Sequence, residues 1–280
     1  MLTLLDSISL AGDRKKQNDD ASGFAARAAW VIDGATDLHD EPVTGAASDA
    51  AWIARMLNVH LVGSLRDTSE AGLRALLADA SRAIGEAFAA PANLERWKLP
   101  LSSMLLAAET ADGVAGIDLG DCRAFALDGA GAYETGGPVG AADRETQFAA
   151  KIAQSSPTQT AALYRAPEAL TILRELRTKQ NEHPEAAVFT LDPRCANHAR
   201  FWTIKLQRPA HVLLATDGFS ALADRYGAYD AGGIVSAALE RGLAELGREL
   251  RAIEMDDAGG AKHPRWKRSD DATALLLRLS

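Results

Sequence analysis

The chain has 280 residues, 47% hydrophobic and 24% charged, which is ordinary for one large globular domain with a full core. Its 38 acidic residues against 30 basic ones give a formal charge of −8. That balance argues against a nucleic-acid surface and leaves carboxylates to spare for metal ions. Cys122 and Cys195 offer no disulfide framework and no Cys/His zinc pattern. No apolar run approaches the ~18 residues of a membrane span, and the start, MLTLLDSISLAGD, lacks the apolar length and charge of a secretory signal. The expected location is the cytoplasm, with no membrane partner.

Residues 2–11 partly alternate apolar and polar side chains and predict a strand, ended by Gly12-Asp13. After the charged loop DRKKQNDD, residues 23–33 (GFAARAAWVID) predict a second strand. Residues 48–65 and 69–89 are Ala/Leu-rich and free of proline. Trp52, Met56, His60 and Leu61 share one face at helical spacing, as do Leu73, Leu76, Leu77 and Ile84, which predicts two amphipathic helices. In 102–134, apolar runs broken at Asp112-Gly113 and Asp128-Gly129 predict an antiparallel meander with those pairs as hairpin turns.

Residues 138–196 are more mixed and look like an insert, with a helix at 166–181 that packs on it or on a sheet. Two strands (RFWTIKL, AHVLLAT), a long helix at 232–253, a solvated basic loop (KHPRWKR) and a last strand (ATALLLRLS) complete the chain. Strand runs with helix pairs between them do not alternate βαβα. Antiparallel sheets covered by helices are expected, as a single domain over 1–280.

The acidic residues concentrate at strand ends. Asp33 follows AAWVI and precedes Gly34; Asp217 follows HVLLAT and precedes Gly218. Asp121 lies between two apolar segments in GIDLGDCRAF, Asp270 and Asp271 open the last strand, and Asp19 and Asp20 precede the second. Hard cations such as Mg²⁺ and Mn²⁺ take oxygen ligands of this kind. Two cations sharing a carboxylate can acidify a water and neutralise charge on a phosphoryl group under in-line attack. Taken singly, each Asp-Gly pair is also an ordinary turn, so the weight falls on the set.

The ordered set resembles the metal-dependent serine/threonine protein phosphatases, the PPM or type 2C family, in a bacterial form. QNDDASGF is similar to its N-E-D-A element, WVIDGATD to V-F-D-G, GIDLGDCRAFAL to V-G-D-S-R-A, LLATDGFSAL to L-A-S-D-G-L, and SDDATALLLRL to D-N-x-T. The resemblance implies an α+β, four-layer αββα sandwich of two antiparallel sheets flanked by helix pairs, with 138–196 as a flap. It implies that Asp33 bridges two Mn²⁺ or Mg²⁺ ions, one completed by Asp217 and Asp270, the other by Asp19 and the Gly34 carbonyl. Asp20 would orient water, and Asp121 with Asp217 could hold a third ion. The implied activity is hydrolysis of phosphoserine and phosphothreonine in proteins, opposing a Ser/Thr kinase, by direct attack of a metal-bridging hydroxide. No D-x-D-x-T or C-x-x-x-x-x-R carrier of a covalent phosphoenzyme is present.

This chain departs from the family at four places. Lys15, flanked by Arg14 and Lys16, stands where the family grips phosphate with arginine, and lysine lacks the bidentate fork. Ala35 replaces the histidine of eukaryotic members, with His39 a nearby alternative. Asp19 is a methylene shorter than the usual Glu, and Cys122, in place of Ser, reads as a small buried hydrophobe. A weakly catalytic or inactive binding protein on the same fold, and a phosphatase of small metabolites, are the two rival readings.

Overall fold

The computed structural model describes residues 1–25, 27–138, 140–155 and 163–280. The chain opens with strands β1 (Leu2–Leu10), β2 (Asp20–Ala25) and β3 (Ala28–Gly34), then helices α1 (Asp49–Ser64) and α2 (Glu70–Phe88). Four strands follow: β4 (Ser102–Thr110), β5 (Gly113–Leu119), β6 (Arg123–Leu127) and β7 (Ala132–Thr135). Next come helices α3 (Ala141–Ser155) and α4 (Pro167–Glu182) and strands β8 (Arg200–Lys205) and β9 (Ala210–Ala215). Helices α5 (Asp217–Asp224), α6 (Ala231–Arg241) and α7 (Leu243–Asp256) and strand β10 (Ala272–Leu279) finish it.

Two antiparallel five-stranded sheets result, in the orders β1-β10-β9-β6-β7 and β2-β3-β4-β5-β8. Period-two alternation sorts each strand between two cores. Ala29 and Val31 of β3 meet Val212, Leu214, Leu275 and Leu277 of the other sheet in the middle layer. Trp30 and Ile32 of the same strand face outward and are covered by Ile53 and Leu57 of α1 and Leu73 and Leu77 of α2. On the far side, Leu213 and Leu276 pack beneath α5, α6 and α7 through Phe219, Ile234, Leu246 and Leu250. This is the expected αββα sandwich. No helix among the described residues is long and apolar enough to cross a membrane.

Several expected elements are drawn differently. The second strand is a hairpin, with β2 and β3 paired from Asp20↔Asp33 to Ala25↔Ala28; Ala26 lies outside the described residues. The meander is two hairpins in different sheets, because β5 pairs with β4 and β8 while β6 pairs with β7 and β9. The chain crosses between sheets at Gly120–Cys122, where Gly120 has φ +90°. Hairpin β4–β5 turns at Ala111-Asp112, since Thr110 pairs with Gly113.

The long helix is broken at Gly242, φ +80°, and α7 restarts with Leu243 N donating to Asp6 Oδ2 at 2.8 Å. A register shift between Leu4 and Asp6 in β1 accompanies that cap. The basic loop is not fully solvated: Arg265 is buried and bonded to Asp257 and to the carbonyls of Glu254 and Arg268. In the insert, α4 matches the expected helix and α3 is additional; Val139 and residues 156–162 lie outside the described residues.

Candidate metal centre

The carboxylates meet because strand ends from both sheets open on one edge of the sandwich. Asp20 begins β2 and is the register partner of Asp33 near the end of β3. Gly34 N donates to the Asp19 carbonyl at 3.2 Å. A Cβ on Gly34 would collide with the Ala50 and Asp19 carbonyl oxygens, so glycine is required where β3 runs against α1. From the other sheet, β9 ends and α5 starts at Asp217, and a Cβ on Gly218 would collide with the Asp271 carbonyl. Asp270 and Asp271 precede β10, and Asp121 sits in the crossover.

Neutral donors clamp the outer members. Thr216 Oγ1 donates to Asp20 Oδ2 at 2.9 Å, and Thr273 N donates to Thr216 Oγ1 at 3.0 Å, tying the two sheets together at the site. Ser48 Oγ donates to Asp19 Oδ1 at 2.6 Å, and Ser103 Oγ to Asp121 Oδ1 at 2.7 Å. Asp271 receives the backbone amides of Gly12 and Asp19 at 2.7 and 2.6 Å, fastening the N-terminal loop to the start of β10. The carboxylate of Asp271 is therefore structural, a role its neighbour's motif did not reveal.

Electrostatics show how crowded the centre is. Burial, then the charges of Asp20, Asp217, Asp270 and Asp121, push the Asp33 carboxyl well above the usual range. Asp217 is pushed up to about 8 by burial and then by Asp121, Asp270 and Glu145, and it lies within hydrogen-bonding reach of Asp33. Burial also raises Asp19 to about 6, and it raises Asp20 strongly, with Asp271 adding to it. Carboxyls held this way carry repulsion that an added cation would relieve. The buried Asp20 Oδ1 finds no hydrogen-bond partner among the described residues. Donors that are all oxygen, mutually repelling and partly orphaned suit hard divalent cations.

Asp270 is the exception. Burial works against its charge, but Lys267, with Nζ 2.6 Å from Asp270 Oδ1, overrides that and holds the carboxyl below its ordinary value. Burial works against the Lys267 charge too, and Asp270 together with Asp33 and Asp271 keeps it protonated. Nothing in the sequence singles out Lys267 from the basic run KHPRWKR, which as a pattern predicts only a solvated loop. Glu145 of α3 and Arg225, 2.7 Å apart, are also brought to the centre, from segments with no pattern in sequence.

Two large openings reach the cluster among the described residues. One, of about 830 Å³, is lined by Asp19, Asp270, Lys267, Arg14, Lys16 and, from the insert, Tyr164. Lys15, between Arg14 and Lys16, is exposed, with its backbone amide on Asp13 Oδ1 at 2.9 Å. The other opening, of about 280 Å³, is lined by Asp121, Asp217, Glu145, Arg225 and Asp224. The insert touches the basic loop through Tyr164 N, which donates to the Trp266 carbonyl, and through Phe148, packed edge-on against Trp266. Its α4 closes on the loop after β3, where Arg174 donates to the Leu38 carbonyl and stacks over Trp97.

His39 is held elsewhere. One ring nitrogen lies 2.8 Å from the Glu41 carbonyl and the other 3.5 Å from Asp49 Oδ2. With Asp37 it brings three potential ligand atoms within 4.8 Å of one another. Those carboxylates are already engaged, however. Asp49 accepts the amides of Val43 and Thr44, and Asp37 accepts those of Asp49 and Ala50, which caps α1. Cys122 is fully buried, and burial with the nearby aspartates pushes its thiol well up, so it behaves as a small core residue.

An αββα sandwich whose strand ends gather carboxylates at one edge is the build of a metal-dependent phosphatase. The family model described as Protein phosphatase 2C matches residues 13–252, and the chain belongs to that family. Solved structures share the fold at low identity. The Mycobacterium tuberculosis serine/threonine phosphatase PstP/Ppp aligns at 17% identity and TM-score 0.58, over 100% of this chain and 99% of that one. MsPP, a PPM Ser-Thr phosphatase from Mycobacterium smegmatis, aligns at 14% and 0.57, over 99% and 100%. The catalytic domain of PstP in complex with 2 manganese ions aligns at 16% and 0.55, over 99% of each chain. A search of curated proteins finds no match.

Proposed function

We propose that the chain hydrolyses phosphoserine and phosphothreonine in proteins by direct attack of water, with no phosphoenzyme. The observation that carries this reading is the convergence of Asp19, Asp33, Asp217 and Asp270 from both sheets onto one edge, beside a cleft with Arg14 and Lys16 on its rim. Asp33, Asp217 and Asp270 would hold one Mn²⁺ or Mg²⁺ ion, and Asp33, Asp19 and the Gly34 carbonyl a second. Asp121 and Asp217, which line the smaller opening, would hold a third. Ions bound there supply an acidified water and neutralise charge on the phosphoryl group.

The chain's own residues do the rest. Asp20, anchored by Thr216, keeps one carboxylate oxygen free to orient water. Arg14, Lys15 and Lys16 draw the phosphoryl group to the cleft as positive charge rather than as a bidentate fork. The open shape of the larger cleft suits a phosphorylated protein segment better than an enclosed metabolite, and 138–196 would act as a flap beside it. The chain would oppose a Ser/Thr kinase in cytoplasmic signalling. A weakly catalytic binding protein is the second reading, favoured by Ala35 and by the Lys267–Asp270 pair.

The test is hydrolysis of p-nitrophenyl phosphate and of phosphoserine and phosphothreonine peptides near pH 8, with Mn²⁺, Mg²⁺ or chelator. Metal-dependent turnover is expected, lost in Asp33→Asn by more than the roughly 100-fold that losing an outer-shell partner costs. Folded protein that binds Mn²⁺ but turns over neither substrate would establish the binding reading instead.

A further inference from the structure

Lys267 occupies an unusual place for a lysine. Its side chain is only 25% exposed, and its ammonium lies 2.6 Å from Asp270 Oδ1, which also accepts the Asp271 amide at 2.9 Å. The loop that delivers it is held firmly. Arg265, buried beside it in sequence, is bonded to Asp257 and to the carbonyls of Glu254 and Arg268, and Trp266 packs against Phe148. A cation presented by so fixed a loop acts at high effective concentration, because little chain freedom is lost when it pairs.

An ammonium bonds to a carboxylate oxygen at about 2.8 Å, whereas Mg²⁺ or Mn²⁺ needs one near 2.1 Å, so the two cannot share one lone pair. Two positive charges so close in a partly desolvated site also repel. Asp270 Oδ1 is taken by Lys267 and the Asp271 amide, so a metal ion would bind at Oδ2, beside an ammonium whose charge opposes it. Asp19 differs in that its hydrogen-bond partner is the neutral Ser48 hydroxyl, and the Lys267 charge reaches it only as a lesser influence.

We propose that Lys267 is a tethered counter-ion whose charge opposes a divalent cation at Asp270, so that the ion held by Asp33, Asp217 and Asp270 loads more weakly than the ion held by Asp33 and Asp19. This rests on reading the cluster as a site for two cations. It makes the second ion, and with it full activity, depend on the metal concentration. Lys267 acts here as a positioning residue for the metal site.

The experiment is Mn²⁺ titration of the full chain at pH 7.5, followed by calorimetry and by the electron paramagnetic resonance signal of free Mn²⁺. Wild type is expected to bind one ion tightly and one weakly. In Lys267→Met the weak ion tightens by at least about tenfold while the tight one changes by less than about twofold. Lys267→Arg should resemble wild type, and adding Asp270→Asn to Lys267→Met should reverse the gain. Lys267→Gln serves if the methionine variant does not fold.

Equal tightening of both ions in Lys267→Met, or no change in the weak one, overturns the proposal and leaves the metal centre standing. Two ions of similar affinity in wild type do the same. Absence of Mn²⁺ binding in wild type and in the variants overturns the metal-centre reading as well.

Discussion

The two flanks of the carboxylate cluster have similar chemistry and opposite electrostatic states. On the Asp217 flank, facing the smaller opening, burial and then the charges of Asp121, Asp270 and Glu145 push a carboxyl up to about 8. On the Asp270 flank, facing the larger cleft, an equally enclosed carboxyl is held below its ordinary value because Lys267 lies against it. Burial alone does not decide whether an acid is charged; the nearest counter-ion does. On one flank the nearby cation, Arg225, is paired with Glu145 rather than with Asp217; on the other, Lys267 lies directly on Asp270.

The contrast is sharpest in a pair of substitutions made in chelator. Asp270→Asn leaves Lys267 in a desolvated site without its partner and should destabilise the metal-free protein by about 1–3 kcal/mol. Asp217→Asn removes a repelling charge and should stabilise it at pH 9. Urea denaturation measures both. Changes of the same sign would mean that the two flanks are not electrostatically distinct.

The pH dependence of the metal-free protein should follow the crowded flank. Asp217 and Asp19 have folded values raised from 3.8 to about 8 and about 6. Between the unfolded and folded values the native state binds more protons, so stability is greatest below about pH 4 from these groups and is lost as pH rises. Thermal midpoints in chelator should fall by several degrees from pH 6 to pH 8 and then level off, taking about 2–4 °C per kcal/mol. Saturating Mn²⁺ should flatten that slope. A midpoint that rises with pH in chelator would break the assignment.

Smaller effects probe the support of each flank. Thr216→Val removes the hydroxyl that donates to Asp20 and accepts from Thr273 N, and should cost about 1–2 kcal/mol by urea denaturation. At the mouth of the larger cleft, Arg14→Ala and Lys16→Ala should raise KM for a phosphopeptide more than Lys15→Ala does, since the first two line the cleft. An equal or larger rise for Lys15→Ala would return the family arginine's role to that position.

Much of this molecule was legible in its sequence, for identifiable reasons. Apolar period marked the helical faces of α1 and α2 that pack on β3, and Asp-Gly pairs after apolar runs marked the strand ends where Asp33 and Asp217 sit. Those signals are local, written within a few residues of the features they encode. The antiparallel layers followed from the order of strand and helix runs. The break at Gly242 was less visible, because its cap is Asp6 in β1, far away in the chain. The crossing between sheets at Gly120–Cys122 was hidden as well, since a strand's partner is not recorded in its own alternation.

What the tertiary structure alone decided is charge. A carboxylate's state depends on which residues share its few ångströms, and here they come from β3, α5, the insert and the loop before β10. The sequence named the acids that meet and set Lys267 three residues from Asp270; only folding turned it onto Oδ1 and, among the described residues, left Asp33 and Asp217 with no ion pair, because Coulomb energies follow distance in space and not along the chain.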